Sequence, residues 1–163
     1  MARIILALSF GKPSGTTANQ LIAKLAQAEA FYNGGLIVAD ASISLKEDYK
    51  KVFIVGPDLQ DQRCCLVKLI KHIANSYIDS GDLVVIISEP IYSKRLKRDL
   101  EKILEEEFKE NVYVLVKTEK NKLWYDKKST QIRTRYEKLS ALYELLLRIL
   151  PWELYKKISR FVD

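Results

Sequence analysis

Arg3-Ile-Ile-Leu-Ala-Leu-Ser9, then Phe10-Gly-Lys-Pro-Ser-Gly-Thr-Thr17, then a helix-patterned run from Ala18 to Tyr32: this stretch decides the fold. An apolar strand, a small-residue turn and a helix in that order make the first half of a βαβ unit. In an open α/β sheet such a turn leaves the carboxyl end of its strand, where ligands bind. The helix start behind it favours anions. The helix carries Leu21, Ile22, Leu25, Ala28 and Tyr32 at the spacing of a stripe packed on a sheet. Thr17 reads as its N-cap and Asn33-Gly34-Gly35 as its stop.

The alternation continues outward. Leu36 to Ala39 reads as a second strand and Lys51 to Val55 as a third, with room for one or two helical turns around Leu45 to Tyr49. A helix from Leu59 to Tyr77 turns Leu66, Leu69, Ile70, Ile73 and Tyr77 inward. Leu83-Val-Val-Ile-Ile87 is continuous and β-branched, as a central parallel strand should be. A third helix, Tyr92 to Phe108, has Leu96, Leu100, Ile103, Leu104 and Phe108 on one face, and Val112 to Val116 reads as a fifth strand. After a connection at Lys117 to Gln131, a long helix from Ile132 to Leu150 is broken by Pro151, and a short amphipathic helix, Trp152 to Val162, follows.

The expectation is a single α/β domain over residues 1–163. It is a three-layer sandwich, doubly wound around a mostly parallel five-stranded sheet of Rossmann-like type. Residues 117–163 form a basic connection and a C-terminal helical extension packed on the body.

Bulk properties narrow the classes. A chain of 163 residues can bury a real core as one domain. Its longest apolar runs, about seven residues, fall short of a membrane span, and the N-terminus shows no cleavage-site pattern, so a cytoplasmic protein is expected. Cys64 and Cys65 are adjacent, and His72 is the one histidine, so no metal site is expected. No cofactor can be named. Abundant Lys, Glu, Ile and Tyr give a thermophile-like composition. Residues 1–90 hold nine basic and nine acidic side chains, residues 91–163 eighteen and twelve, so the whole net charge of +6 lies in the second part. Such an asymmetry suggests an anionic partner on one side.

Three turns leave the carboxyl ends of strands one, three and four: Ser9 to Thr17, Gly56 to Asp61, and Ser88 to Lys94. In a doubly wound sheet they converge on one crevice. The first offers amides at Gly11 and Gly15, hydroxyls at Ser14, Thr16 and Thr17, and the Lys12 cation, a set that suits a phosphate or carboxylate. It matches neither a Walker loop nor the dinucleotide fingerprint. A purely structural loop fits it equally well. The second turn holds Asp58, Asp61 and Gln62 at a helix start, where carboxylates also serve the dipole alone. The third gathers Ser88, Glu89, Tyr92 and Arg95. Arg95 either clamps an anion or pairs with Asp99 one helical turn on. Asp40, after strand two, is placed where acids meet a ribose hydroxyl in dinucleotide folds.

Lys24-Leu25-Ala-Gln-Ala28-Glu-Ala-Phe-Tyr32-Asn-Gly-Gly35 resembles the first-helix pattern Arg-Leu-x-x-Ala-x-x-x-Tyr-x-x-Gly of the SanA-like and YdcF-like Rossmann-type domains. Leu59-Gln-Asp61-Gln62-Arg63 looks like that family's Thr-x-Glu-Asn-Ala block. Ile87-Ser88-Glu-Pro-Ile-Tyr92-Ser-Lys-Arg95-Leu96 is similar to its Val-Thr-x-x-x-His-x-x-Arg-Ala. The likeness covers residues 3 to 116 and implies a Rossmann-type domain of largely unassigned biochemistry. Here Tyr92 stands for the family histidine, Leu59 for its threonine and Lys24 for its first-helix arginine. Tyrosine can hydrogen-bond there but does not exchange a proton near neutral pH.

These readings lead to a protein that binds a small anionic, nucleotide-type ligand at the sheet's carboxyl edge. Gly11, Lys12, Ser14, Gly15 and Thr16 would cradle the anion, Asp61, Gln62, Tyr92 and Arg95 would orient the rest, and Ser88 is a further binding candidate. Whether it is also an enzyme stays open. Asp61, Glu89 and Tyr92 are the catalytic candidates, since no histidine base is placed to serve and a Ser-His-Asp hydrolase is disfavoured. The alternative is a nucleic-acid-binding or assembly protein using Lys117 to Lys138, with Lys127, Lys128, Arg133 and Arg135 on phosphates and Trp124 as a stacking ring. The last helices could also dock on the body or form a homodimer, either being favoured over docking on a membrane surface.

Overall fold

Strand β1 (Arg3–Ala7) lies between β2 (Leu36–Asp40) and β4 (Leu83–Ile87) in the computed structural model, which describes residues 1–10, 15–46, 51–54, 66–119 and 124–162. With β3 (Lys51–Ile54) outside β2 and β5 (Tyr113–Lys117) outside β4, the sheet order is β3-β2-β1-β4-β5. Each neighbouring pair is parallel: Ile5 stands opposite Ile37 and Val85, and Val85 opposite Leu115. The chain steps outward from β1 through β2 and β3, returns to β4 on the other flank, and steps outward again. That is the Rossmann-like winding, and its switch point falls between β1 and β4.

Helix α1 (Thr17–Asn33) covers one face of the sheet, while α2 (Leu66–Tyr77) and α3 (Tyr92–Glu106) pack together on the other. The last two helices, α4 (Glu137–Ile149) against α3 and α5 (Trp152–Val162) against α2, form an outer layer on that second side. Ile5, Leu6, Ile37, Val84, Val85, Ile86, Ile70, Ile73, Leu96 and Leu100 are the closed centre of the core.

Several boundaries differ from the expectation for local reasons. Thr16, not Thr17, is the N-cap of α1, with extended backbone (φ −62°, ψ 149°) and a hydroxyl that accepts from Asn19 N. Gly34 (φ +69°) stops the helix, and its N–H returns to Ala30 O. Tyr32 was expected on the inward stripe but is 79% exposed, because α1 meets the sheet through Ala18, Leu21, Ile22 and Ala26. Phe108, also expected inward, lies beyond α3 at positive φ and is exposed. The long helix expected from Ile132 divides into a short 3₁₀ turn, Ile132–Arg135, and α4, because Tyr136 is extended. The first part of the expected second helix, Leu59 to Cys65, lies outside the described residues.

Because α1 is alone on its face among the described elements, β5 is open there. Lys117 reaches Glu29 of α1, so the pleat sets Tyr113 and Leu115 on the same exposed side and Val114 towards α3. A hollow of about 600 Å³ runs along this flank, lined by Leu25, Glu29, Tyr32, Ile87 and Lys117 among others.

Candidate functional site

The turns after β1 and β4 leave the sheet at the switch point, and both are held there by carboxylates of the chain itself. After β1, Ser9 N donates to Asp40 Oδ2 at 2.6 Å, and Phe10 N to Asn19 Oδ1 at 2.9 Å. Asp40 Oδ1 also takes Ser42 N, so the acid that could have met a ribose hydroxyl ties two loops together. After β4, Glu89 is buried and closes the start of α3. Its Oε2 accepts Ile91 N at 2.8 Å and Tyr92 N at 2.7 Å, and its Oε1 accepts the Tyr125 hydroxyl at 2.8 Å.

The third carboxylate comes from far along the chain. Asp126 lies 109 residues beyond Thr17, and its Oδ2 faces Thr17 N at 3.2 Å and Thr17 Oγ1 at 3.4 Å. Its Oδ1 accepts Lys128 N at 2.9 Å in a local turn. The Lys128 and Thr17 amides together hold this carboxyl below the usual aspartate range. The N-terminus of α1, where an external anion was expected, therefore faces an internal one. The contacts are at the long end of the hydrogen-bond range, so the hold is loose.

Aromatic rings close the space between these turns. Phe10 lies 5.6 Å from Tyr92 and 6.0 Å from Tyr125, the latter edge-on. Burial, and then the bond to Glu89, push the Tyr125 phenol well above its ordinary value, so it is a hydrogen-bond donor throughout the working pH range. Beside Glu89, the Ser88 hydroxyl is fully buried and has no hydrogen-bond partner among the described residues.

Arg95 is not in this crevice. Its guanidinium is fully buried, with Nε 2.7 Å from Glu144 Oε2 on α4, Nη1 donating to the Tyr155 hydroxyl at 3.1 Å, and the Tyr92 ring beneath it at 5.0 Å. It joins α3 to the outer helices and has no fork to spare for an anion. Asp99, one helical turn on, accepts from Tyr155 at 2.6 Å and from Arg98, and the Arg95 charge also favours its ionised form. Tyr92, one of the catalytic candidates, is packed between Phe10 and Arg95.

Of the other expected site residues, Gly15 is exposed and Thr16 buried as the α1 cap, while Gly11, Lys12, Ser14, Asp61 and Gln62 lie outside the described residues. In the basic stretch Lys127 and Lys128 are exposed. Arg135 Nε donates to Ser129 O, and the side chain of Arg133 is outside the described set. Trp124 is 1% exposed and donates to Glu119 O, so it presents no ring for stacking, and its expected role is withdrawn. No group of three His, Cys, Asp or Glu among the described residues could hold a metal, and none of the described helices is long and apolar enough to cross a membrane.

Asp126 was missed, and Tyr125 reads in the sequence only as a ring interleaved with basic residues, because the stretch's charge reads as basic and solvated. The adjacent Trp124-Tyr125-Asp126 triplet, apolar and acidic inside a lysine run, was the signal available. Comparison with protein-family models, curated proteins and solved structures finds no match.

Proposed function

We propose that the chain binds a small anionic, nucleotide-type ligand at the switch point between β1 and β4, and that the ligand's anionic end exchanges with the Asp126 carboxylate at the start of α1. The single observation that carries this is the long, two-point contact of Asp126 with Thr17 N and Oγ1. A helix start that faces a loosely held carboxylate from a distant segment supports reading it as an anion position. Tyr125, only partly buried, offers ring surface for the rest of the ligand, against Phe10. The proposal is for binding, and it assigns no reaction.

Calorimetric titration with a panel of mononucleotides, sugar phosphates and the matching uncharged nucleosides tests it. Asp126→Asn keeps the acceptor for Lys128 N but removes the competing charge. Removing such an internal competitor tightens phosphorylated ligands by about tenfold and leaves uncharged nucleosides unchanged. Equal affinity in wild type and variant, or no binding by any phosphorylated compound, refutes the reading.

A further inference from the structure

We propose that the hollow between the second half of α1 and the open side of β5 binds a small aromatic carboxylate, its ring on the apolar lining and its carboxylate on the Lys117 ammonium. The hollow follows from the winding. Among the described elements α1 alone covers this face of the sheet, and it packs on β1, β2 and β4. The strip beside it stays open, with a volume of about 600 Å³, in the range of cavities that take small molecules.

Leu25 and Ala28 of α1 line one wall. Ile87 lines the sheet side. It stands opposite Lys117 in the β4–β5 register and so shares its face. The Tyr32 ring, exposed and set edge-on to Phe31, adds a surface on which a second ring can lie. Leu25 lies about 12 Å along α1 from Thr17, so this hollow is separate from the start of that helix.

The polar group at the hollow is Glu29, which is 6% exposed. Its Oε1 accepts Arg3 Nη1 at 2.6 Å, and its Oε2 accepts Lys117 Nζ at 2.6 Å and Asn33 Nδ2 at 3.1 Å. Burial opposes the charge on Glu29, but these donors outweigh it and hold the carboxyl below its usual range. Two cations thus serve one carboxylate, and Arg3 and Asn33 keep it paired when Lys117 turns to a ligand. The Lys117 side chain is half exposed, and one of its three N–H donors goes to Glu29. The surplus is one positive charge, which a carboxylate matches. A phosphate brings a second negative charge, and the exposed Glu119 on the same lining opposes it.

Calorimetric titration of the full chain with 2-naphthoate, 2-naphthamide and 2-naphthyl phosphate tests the proposal. Naphthoate is expected to bind about tenfold tighter than the neutral amide, and tighter than the phosphate. Lys117→Met keeps the apolar stem and should erase the preference for the acid, while Lys117→Arg should retain it. Ala28→Trp and Thr118→Trp fill the hollow from α1 and from the exposed end of β5, and each should weaken acid and amide alike by about tenfold or more. Thr118 is exposed, so its variant reports on the hollow even where Ala28→Trp unfolds the chain. Asp126→Asn should alter neither affinity, which keeps this result apart from any ligand at the start of α1. Absence of naphthoate binding overturns the proposal. So does an amide or phosphate that binds as tightly as the acid, or naphthoate binding indifferent to Thr118→Trp.

Discussion

The guanidinium of Arg95 on α3 meets the carboxylate of Glu144 on α4 with Nε 2.7 Å from Oε2, and both side chains are wholly removed from solvent. The pair is completed by the Tyr155 hydroxyl, which accepts from Arg95 and donates to Asp99, so α3, α4 and α5 share one buried polar cluster. Burial pushes the Asp99 carboxyl above its ordinary value, against the opposing pull of Tyr155 and Arg98. Arg95→Ala leaves the Glu144 charge uncompensated and should cost about 3–5 kcal/mol. In a chain of this size that lowers the melting temperature by roughly 10 °C. Arg95→Met combined with Glu144→Leu removes both charges and should recover most of the loss. Thermal unfolding of the two variants checks this. A single variant within about 0.5 kcal/mol of wild type would mean that the pair is not closed from water.

Tyr125→Phe tests the second buried contact. The change deletes the donor to Glu89 Oε1 and leaves that oxygen buried without its partner, at a cost of about 1–3 kcal/mol. In the wild type this phenol stays protonated in alkaline solution because burial and Glu89 both oppose its ionisation. An absorbance titration of the folded protein should therefore show the same phenolate signal in wild type and Tyr125→Phe up to the pH of unfolding. A difference between them before unfolding would place the hydroxyl in water.

The strands and helices were legible because each depends on local pattern. Leu83 to Ile87 is a β-branched run with no other stable place than a covered strand, and the β4 found is Leu83–Ile87. The long-range polar contacts were not legible, because they join residues that no periodicity relates. The sequence offers Arg95 a neighbour four residues on, Asp99. The fold adds Glu144, 49 residues away, since α4 returns across α3. Asp126 is anonymous within a lysine-rich connection until that connection passes the start of α1. Tyr32 shows the limit of helical spacing itself. It is in phase with Leu21 and Leu25, but a 17-residue helix crossing a twisted sheet lifts one end clear.

Acid should loosen the α1 start. Asp126 titrates below the ordinary aspartate value in the folded chain because the Lys128 and Thr17 amides favour its charged form. The unfolded state then binds the proton more readily than the folded one. The stabilisation is complete above about pH 5 and fades as the pH falls through the lower folded value. Asp126→Asn has no such proton to gain. Urea unfolding at a series of acidic pH values should show the wild type losing its advantage over the variant as the solution is acidified. A constant difference would mean that the carboxylate is not engaged.

Gly35 and Gly15 should respond oppositely to alanine. At Gly35 the backbone has φ +120°, and an added Cβ would lie 2.8 Å from Arg3 O in the neighbouring strand β1. Neither the dihedral nor the approach can relax without moving the β1–β2 edge of the sheet. Gly35→Ala should therefore destabilise by about 2 kcal/mol or more. Gly15 has nothing within 4 Å of the same atom. Gly15→Ala restricts the unfolded chain without a clash and should be neutral or stabilising by about 0.4–1 kcal/mol. Because Gly15 precedes the Thr16 cap, a bulkier residue there obstructs the approach to the start of α1. Gly15→Trp should keep the melting temperature while weakening any phosphorylated ligand that displaces Asp126. If Gly15→Trp binds such a ligand as tightly as wild type, the anion enters elsewhere.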